Sequence, residues 1–428
     1  MKAITNGRFL LPNENGAFEE WTGCVLLYDE AGIQAIEDAA SFEAACSGVT
    51  PTDVLDAGGR FVAPGFLNVH VHGGGGADTM DDTPEALTTL RRQQAAMGVT
   101  AFLPTTMTCP WDDITAALAR VRTAMQANGT GDGADILGAH LEGPFISPAE
   151  KGSQEATNIF PADFAKLAPF TDVVRLVTIA PEELPRKVAG SSDGEQTSGL
   201  EPVAAAGVAP LAGCPADERD WSFVEACKRA GIVVSIGHTA ADYETAAAAI
   251  QSHGVHHVTH LFNAMTGLHH RRPGVVGAAL DTAARVELIC DNVHVAPAVQ
   301  RLVWRLKGKG QLILITDAMR ACGLGDGTYE FGGHAVTVTG ERALLADGTI
   351  AASVATLNRC LARFRENTGA SMADVITTVT QTPAKDLDLG AERGALAVGK
   401  RADITIFDDD MTIFTTIVGG RLVYGGRC

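Results

Sequence analysis

Through the middle of the chain, short apolar runs alternate with segments whose apolar positions recur every three to four residues. The runs fall at 61–71, 100–104, 136–141, 174–180, 232–236, 257–262, 286–290 and 312–315. Runs of this length, bounded by turn residues, predict buried strands, and the segments 84–97, 111–127, 221–229, 240–251 and 297–306 predict amphipathic helices. Strand–helix units repeated in this way predict an α/β protein, a (β/α)8 TIM barrel whose active site lies at the carboxyl ends of the strands. The alternative is a doubly wound open sheet, and the lack of a GxGxxG after the first run counts against it.

The two ends of the chain read differently. Residues 1–60 are short strand-like pieces punctuated by Asn6-Gly7, Asn15-Gly16 and Gly58-Gly59, and the tail repeats the pattern around Gly419-Gly420. Such punctuation marks turns. The expectation is one small β domain assembled from 1–60 and 393–428, with the barrel occupying 61–392. Segment 186–220, rich in Ala, Gly, Ser and Pro, breaks the rhythm and is expected to be a surface insertion after the fourth strand. Segment 329–350 is expected to be a β excursion after the eighth.

Composition narrows the function classes. A chain of 428 residues with 46% hydrophobic and 20% charged residues can bury a large core and a smaller one. The net charge of −18 argues against a nucleic-acid surface and means that an anionic substrate needs local cations. Nine cysteines without a CxxC pair suggest neither a disulfide framework nor a structural zinc knot. No secretory leader opens the sequence and no apolar run is long enough to span a bilayer, so the expected location is the cytoplasm.

The candidate chemistry sits where the runs end. The third run ends in Glu142, and a carboxylate at the end of a buried strand is costly unless a cation meets it. The first run ends His70-Val71-His72, and residues two apart on a strand face the same side. The fifth leads to His238, the sixth to His260, the seventh to Asp291 and His294, and the eighth to Asp317. Each such residue alone is most simply a satisfied core or rim group; several strands ending this way are harder to explain so. A Glu and two His leave open positions on a divalent ion, as a catalytic site requires. An Asp beside that ion can move a proton between water and a leaving group, so metal-assisted hydrolysis is the expected reaction class. His256 and His257, at the start of the sixth run, are expected to be structural.

In order along the chain, HLEGPF, GHT, THLFNAM, HHRRPG, DNVHV and TDAMRACGLGDGTYEFGG resemble the N-acetylglucosamine-6-phosphate deacetylases of the amidohydrolase superfamily. The resemblance covers nearly the whole chain apart from 186–220. It implies a TIM barrel with a small β-sandwich domain, a homodimer and a divalent metal, Zn2+ foremost, with Fe2+, Mn2+ and Co2+ as alternatives. It assigns the principal metal site to Glu142, His238 and His260, and the general base, then acid, to Asp317. It assigns substrate contacts to Ser153, Gln154, Asn263, Ala264 and His294, and to Arg271 as the residue reaching the phosphate in the neighbouring subunit. Some members lack the HxH pair and use one ion. The presence of His70 and His72, with Gln154 where the single-ion branch has a histidine, implies room for two.

Three departures stand out. Arg272 occupies a position that is usually Glu, Ala352-Ser353 replaces Gly-Ser, and Ala355 replaces a larger apolar residue of the acyl and sugar pocket. The last bears on preference for acetyl and for the gluco epimer. The expected reaction is deacetylation of N-acetylglucosamine 6-phosphate, with the galacto epimer or another N-acyl hexosamine 6-phosphate as alternatives. A cyclic amidase reading fails because the fourth run has no lysine to bridge two metals. A non-catalytic sugar-phosphate-binding protein is the reading from a different class, and intact Glu142, His238, His260 and Asp317 argue against it.

Overall fold

The computed structural model describes residues 1–40, 53–186 and 219–426. Of the expected insertion at 186–220, residues 187–218 lie outside the described residues. The middle of the chain forms the strands Phe66–Val71, Val99–Pro104, Asp135–Ile136 with Ala139–Glu142, Val174–Ile179, Val233–Ile236, His257–Val258, Arg285–Ile289 and Leu312–Ile315. All pair in parallel. Helices such as Pro84–Ala96, Trp111–Met125, Tyr243–His253 and Pro297–Gln311 separate them. Their buried faces, for example Leu87 and Leu90, then Ile114, Leu118 and Val121, join one continuous core with the strands.

The ladder is a curled parallel sheet in two pieces, one three-stranded and one six-stranded, so the continuous closed ladder expected from the sequence is met only in part. At one seam Thr106 N donates to His140 O at 3.0 Å; at the other Asp317 N donates to His70 O at 3.0 Å. Local breaks account for the shorter strands. The run at 136–141 is interrupted at Gly138, with φ 137°. The run at 257–262 keeps only two strand residues because the chain then turns through Phe262 and Ala264, both with positive φ.

The run expected as one strand over 61–71 is two. Phe61–Pro64 pairs with Arg8–Pro12 and Ile404–Phe407, whereas Phe66–Val71 enters the parallel sheet. Gly65 makes the change of direction possible, since a Cβ there would lie 2.2 Å from Thr100 side-chain atoms. Strands from both chain ends form a four-stranded and a six-stranded sheet that share a core containing Ile4, Phe9, Leu26, Val62, Ile404 and Ile417. The return of the chain is fastened by buried Arg393, which pairs with Asp403 and, at 2.9 Å, with Asp135 at the start of the third parallel strand. Residues 327–344 form an antiparallel three-stranded sheet, Gly327–Phe331, His334–Thr339 and Arg342–Leu344, which overlaps the segment 329–350 expected to be a β excursion and begins two residues before it.

Beneath the strand ends lies a buried polar network. His257 Nδ1 is 2.6 Å from Asp386 Oδ2 and His257 Nε2 is 3.1 Å from Glu287 Oε1, while Arg285 pairs with Asp386 at 3.1 Å. Burial pushes the His257 imidazole pKa down, but Asp386 and Glu287 outweigh it and raise it to about 9. A raised folded-state pKa gives stability that is fully present below the unfolded value near 6.5 and is lost as pH rises through about 9. Denaturant unfolding of the wild type and of His257→Gln is therefore expected to differ most below pH 6.5. The pH-dependent part of the gap, on the order of 3 kcal/mol, should disappear above pH 9. A gap that stays constant across this range would refute the charged pairing.

Candidate metal centre

Glu142 ends its strand because Gly143 cannot continue it. Gly143 has φ 73°, and a Cβ there would lie 2.0 Å from Thr108 Oγ1, so the chain turns off. The Glu142 carboxylate stays behind, 2% exposed. Its Oε1 lies 3.0 Å from His260 Nε2, 3.3 Å from His70 Nε2 and 3.4 Å from His238 Nε2. Its Oε2 lies 3.1 Å from His72 Nε2. Asp317 Oδ1 faces the same nitrogens, 3.2 Å from His72 Nε2 and 3.4 Å from His70 Nε2. The structure thus brings together His70, His72, Glu142, His238, His260 and Asp317.

The backbone at three of these residues is unusual. His238, His260 and Asp317 have φ of 48°, 29° and 48°, a region that non-glycine residues adopt at a cost. Hydrogen bonds hold them there. Asp317 N donates to His70 O and Asp317 O accepts from Ser353 N at 2.9 Å. His260 N donates to Glu287 Oε2 at 3.0 Å and His260 O accepts from Asn263 N. His238 O accepts from Ser147 N at 2.8 Å. Strain imposed in this way turns side chains at strand ends back toward one point.

Burial raises the Glu142 carboxyl pKa, but the charge of His70 and the contacts of His238, His260 and His70 outweigh it and hold it well below the usual range. Asp317 is likewise lowered, with His70 and His72 overcoming burial. His72 is raised to about 9 by Asp317 and Glu142 against its burial. His140, by contrast, is pushed well below the usual value by burial and by the neighbouring His70. The carboxylates here need positive charge, which a divalent ion supplies as well as imidazolium does.

The donor set fits such an ion. Glu142 Oε1 and His70 Nε2 are buried without a hydrogen-bond partner although they face one another. His238 Nε2 and His260 Nε2 lie 3.1 Å apart, close to the spacing of roughly 3.3 Å for two ligands about 2.0 Å from one tetrahedral ion. Among the described residues, Glu142, His238 and His260 form one group able to hold a metal, and His70, His72 and Glu142 a second. A third, His70 with His140 and Glu287, is better read as support, because His70 Nδ1 is engaged by Glu287 Oε2 at 2.9 Å and His140 Nε2 by Thr178 Oγ1 at 2.7 Å.

The other expected site residues fall around this centre. Gln154 Nε2 donates to Glu142 Oε2 at 3.1 Å, and Thr108 N donates to Gln154 Oε1 at 2.7 Å. Ser153 Oγ donates to Ala351 O at 3.1 Å, and Ser353 Oγ accepts from the half-buried Ala355 N at 2.9 Å. Asp291 Oδ2 lies 2.7 Å from His294 Nδ1, and it raises the His294 pKa despite burial. Asn263 Nδ2 donates to His260 O at 3.1 Å, and Ala264 O accepts from Thr239 N. Arg271 is not part of the cluster. It sits exposed in a turn closed by hydrogen bonds between His269 and Arg272, and its guanidinium makes no ion pair among the described residues.

Sequence reasoning passed over Glu287 and left His140 without a role. The signal for Glu287 was available: it is a carboxylate inside the apolar run 286–290, the same anomaly that singled out Glu142. The side of the strand on which it would find partners was not readable.

A model of the amidohydrolase family matches residues 61–423. The chain is 36% identical over 367 residues to N-acetylglucosamine-6-phosphate deacetylase of Bacillus subtilis, covering 84% of each protein. It is 33% identical over 377 residues to N-acetylgalactosamine-6-phosphate deacetylase of Escherichia coli O157:H7, covering 87% of this chain and 90% of that one. A solved structure of a mutant N-acetyl-D-glucosamine-6-phosphate deacetylase from Mycobacterium smegmatis, in complex with N-acetyl-D-glucosamine-6-phosphate, is similar at TM-score 0.78 and 27% identity, covering 99% of each chain.

Because both groups share Glu142, Glu142→Ala is expected to lower metal content in both halves, whereas His238→Ala should leave the His70–His72 half loaded. Metal analysis of gel-filtered protein checks this, and undiminished metal in Glu142→Ala would remove that residue from the centre.

Proposed function

The chain belongs to the amidohydrolase family, and we propose that it hydrolyses the amide of N-acetyl-D-glucosamine 6-phosphate to D-glucosamine 6-phosphate and acetate. The observation that carries this reading is the convergence of Glu142, four histidines and Asp317 at strand ends, in a chain so similar to deacetylases of this substrate. The galacto epimer is the second reading, supported by the comparable identity to a deacetylase of that sugar phosphate.

Glu142, His238 and His260 would hold one divalent ion, and His70 and His72 with Glu142 a second; Zn2+, Fe2+, Mn2+ and Co2+ all suit nitrogen and carboxylate donors. Such an ion supplies Lewis acidity toward the amide carbonyl and makes water a better nucleophile at neutral pH. Asp317 is the proton carrier. Its carboxylate, 3.2 Å from His72 Nε2 and 3.4 Å from His70 Nε2, accepts the proton of the attacking water and returns that proton to the nitrogen as the C–N bond breaks. Asp291 holds His294 by Nδ1, leaving Nε2 to contact the sugar beside the amide. Ser153, Gln154 and the small Ala355 line the same region, with Asn263 and Ala264 toward the phosphate.

Arg271 is assigned to the phosphate of a neighbouring subunit in a homodimer. Its exposure at a turn tip, beside Leu268 at 61% exposed, supports that role, and the guanidinium fork suits phosphate oxygens. The two sheet pieces, whose first strand is Phe66–Val71 and not the stretch from Phe61, are read as a (β/α)8 barrel, bridged at the seams by the Thr106–His140 and Asp317–His70 bonds. The described strands of the two chain ends, together with Phe61–Pro64, are read as a β-sandwich domain, from their two sheets and common core. The reading locates the enzyme in the cytoplasm. Six described cysteines are free thiols, in keeping with a reducing compartment, and no helix among the described residues is long and apolar enough to cross a membrane.

Amine release from N-acetylglucosamine and N-acetylgalactosamine 6-phosphates tests the proposal. Turnover of the gluco substrate is expected, a strong preference for the galacto substrate would favour the second reading, and no turnover of either with metal bound would sink both. Asp317→Asn should lower kcat by about 100- to 10,000-fold with metal retained. Arg271→Ala should raise KM for phosphorylated sugar far more than for unphosphorylated sugar, and an equal effect would remove it from the phosphate site.

A further inference from the structure

We propose that Glu287 is a positioning residue for the second ion: it orients His70 and is itself braced by His257 and Asp386. The inference rests on the two-ion reading above. Glu287 is fully buried at the centre of the strand Arg285–Ile289, among apolar neighbours that offer it nothing. Among the described residues, all of its carboxylate's hydrogen bonding goes to three partners. Oε2 lies 2.9 Å from His70 Nδ1 and accepts from His260 N at 3.0 Å, and Oε1 lies 3.1 Å from His257 Nε2. Asp386 Oδ2 then engages His257 Nδ1 at 2.6 Å, and Arg285 fixes Asp386. The result is a line of hydrogen bonds from Arg285 at the start of its strand to the imidazole that faces Glu142.

Its two contacts with the centre differ in kind. At His70 the carboxylate holds the ring by Nδ1, so that Nε2 faces Glu142 Oε1 and Asp317 Oδ1 and would offer its lone pair to an ion bound there. At His260 it holds only the backbone, whose carbonyl is separately tied by Asn263 N. Loss of Glu287 should therefore fall on the His70–His72 ion more than on the ion of Glu142, His238 and His260. His140 packs edge-on at 4.6 Å from His70 and contributes bulk, with no hydrogen bond between the two rings to replace the lost one.

The test measures metal affinity by chelator competition for both ions in the full-length wild type, Glu287→Gln and Glu287→Leu. Leu removes charge and acceptor, and is expected to weaken the second ion by about 10- to 100-fold while the first changes less than threefold. Gln keeps the volume and one acceptor oxygen, so it folds like the wild type and should weaken the second ion by less than Leu does. Unchanged second-ion affinity in Gln and Leu overturns the inference, as does equal weakening of both ions, which marks general loosening. A wild type that binds a single ion overturns the two-ion reading and this inference together. If Leu does not fold, Gln decides alone: selective weakening supports the role and wild-type affinity overturns it.

Discussion

A carboxylate buried at the end of a strand is unstable by several kcal/mol unless opposite charge or hydrogen-bond donors surround it. Glu142 is that carboxylate, and the architecture of the strand ends follows from satisfying it. Four imidazoles from three other strands come within 3.4 Å of its two oxygens. They can do so only if strands distant in sequence keep a common level, so register errors would leave the charge exposed to an apolar wall. The same demand explains why His238, His260 and Asp317 tolerate left-handed backbone. Their strain is offset by the electrostatic gain of aiming at one point, and fixed by backbone hydrogen bonds that leave no alternative.

A second buried carboxylate extends this logic downward. Glu287 has no solvent and no apolar function, so its position is set by His70 above and His257 below. Charges therefore alternate through the interior: Asp386, His257, Glu287, His70, then Glu142 and Asp317. Replacing any one member leaves its neighbours buried and unpaired, which couples the stability of the strand starts to the geometry of the strand ends. Rigidity in a metal centre comes from such packed polar contacts, because each ligand side chain has more than one χ1 rotamer and the contacts select one of them.

The sequence carried the strand-and-helix rhythm because buried parallel strands read as short apolar runs whatever their neighbours are. It also carried His70, His72, Glu142, His238, His260 and Asp317, since polar residues ending such runs are anomalous one by one. What it could not carry was anything decided by a turn within a run. Gly65 splits 61–71 and sends Phe61–Pro64 to pair with strands from both chain ends, a choice made by contact with Thr100 and invisible to periodicity. Glu287 escaped notice because it lies mid-run, where alternation between the two faces of a strand is hidden when both faces are buried. Arg271 was legible only by resemblance, as an exposed turn with two arginines is chemically unremarkable alone.

Gln154 adds a further constraint on the Glu142 carboxylate. A backbone N–H can only donate, so the bond from Thr108 N fixes the Gln154 oxygen and leaves its NH2 facing Glu142 Oε2. The two oxygens of Glu142 are thereby made unequal. Oε1 faces His260, His238 and His70, whereas Oε2 faces His72 and shares its lone pairs with the Gln154 amide. A ligand or ion that approached Oε2 would compete with a hydrogen bond already made, whereas Oε1 has no such donor from Gln154. Of the His70–His72 pair, only His72 therefore meets the oxygen that the Gln154 amide already engages. His70, pinned by Glu287 and facing the other oxygen, is the member of that pair whose place does not depend on Gln154.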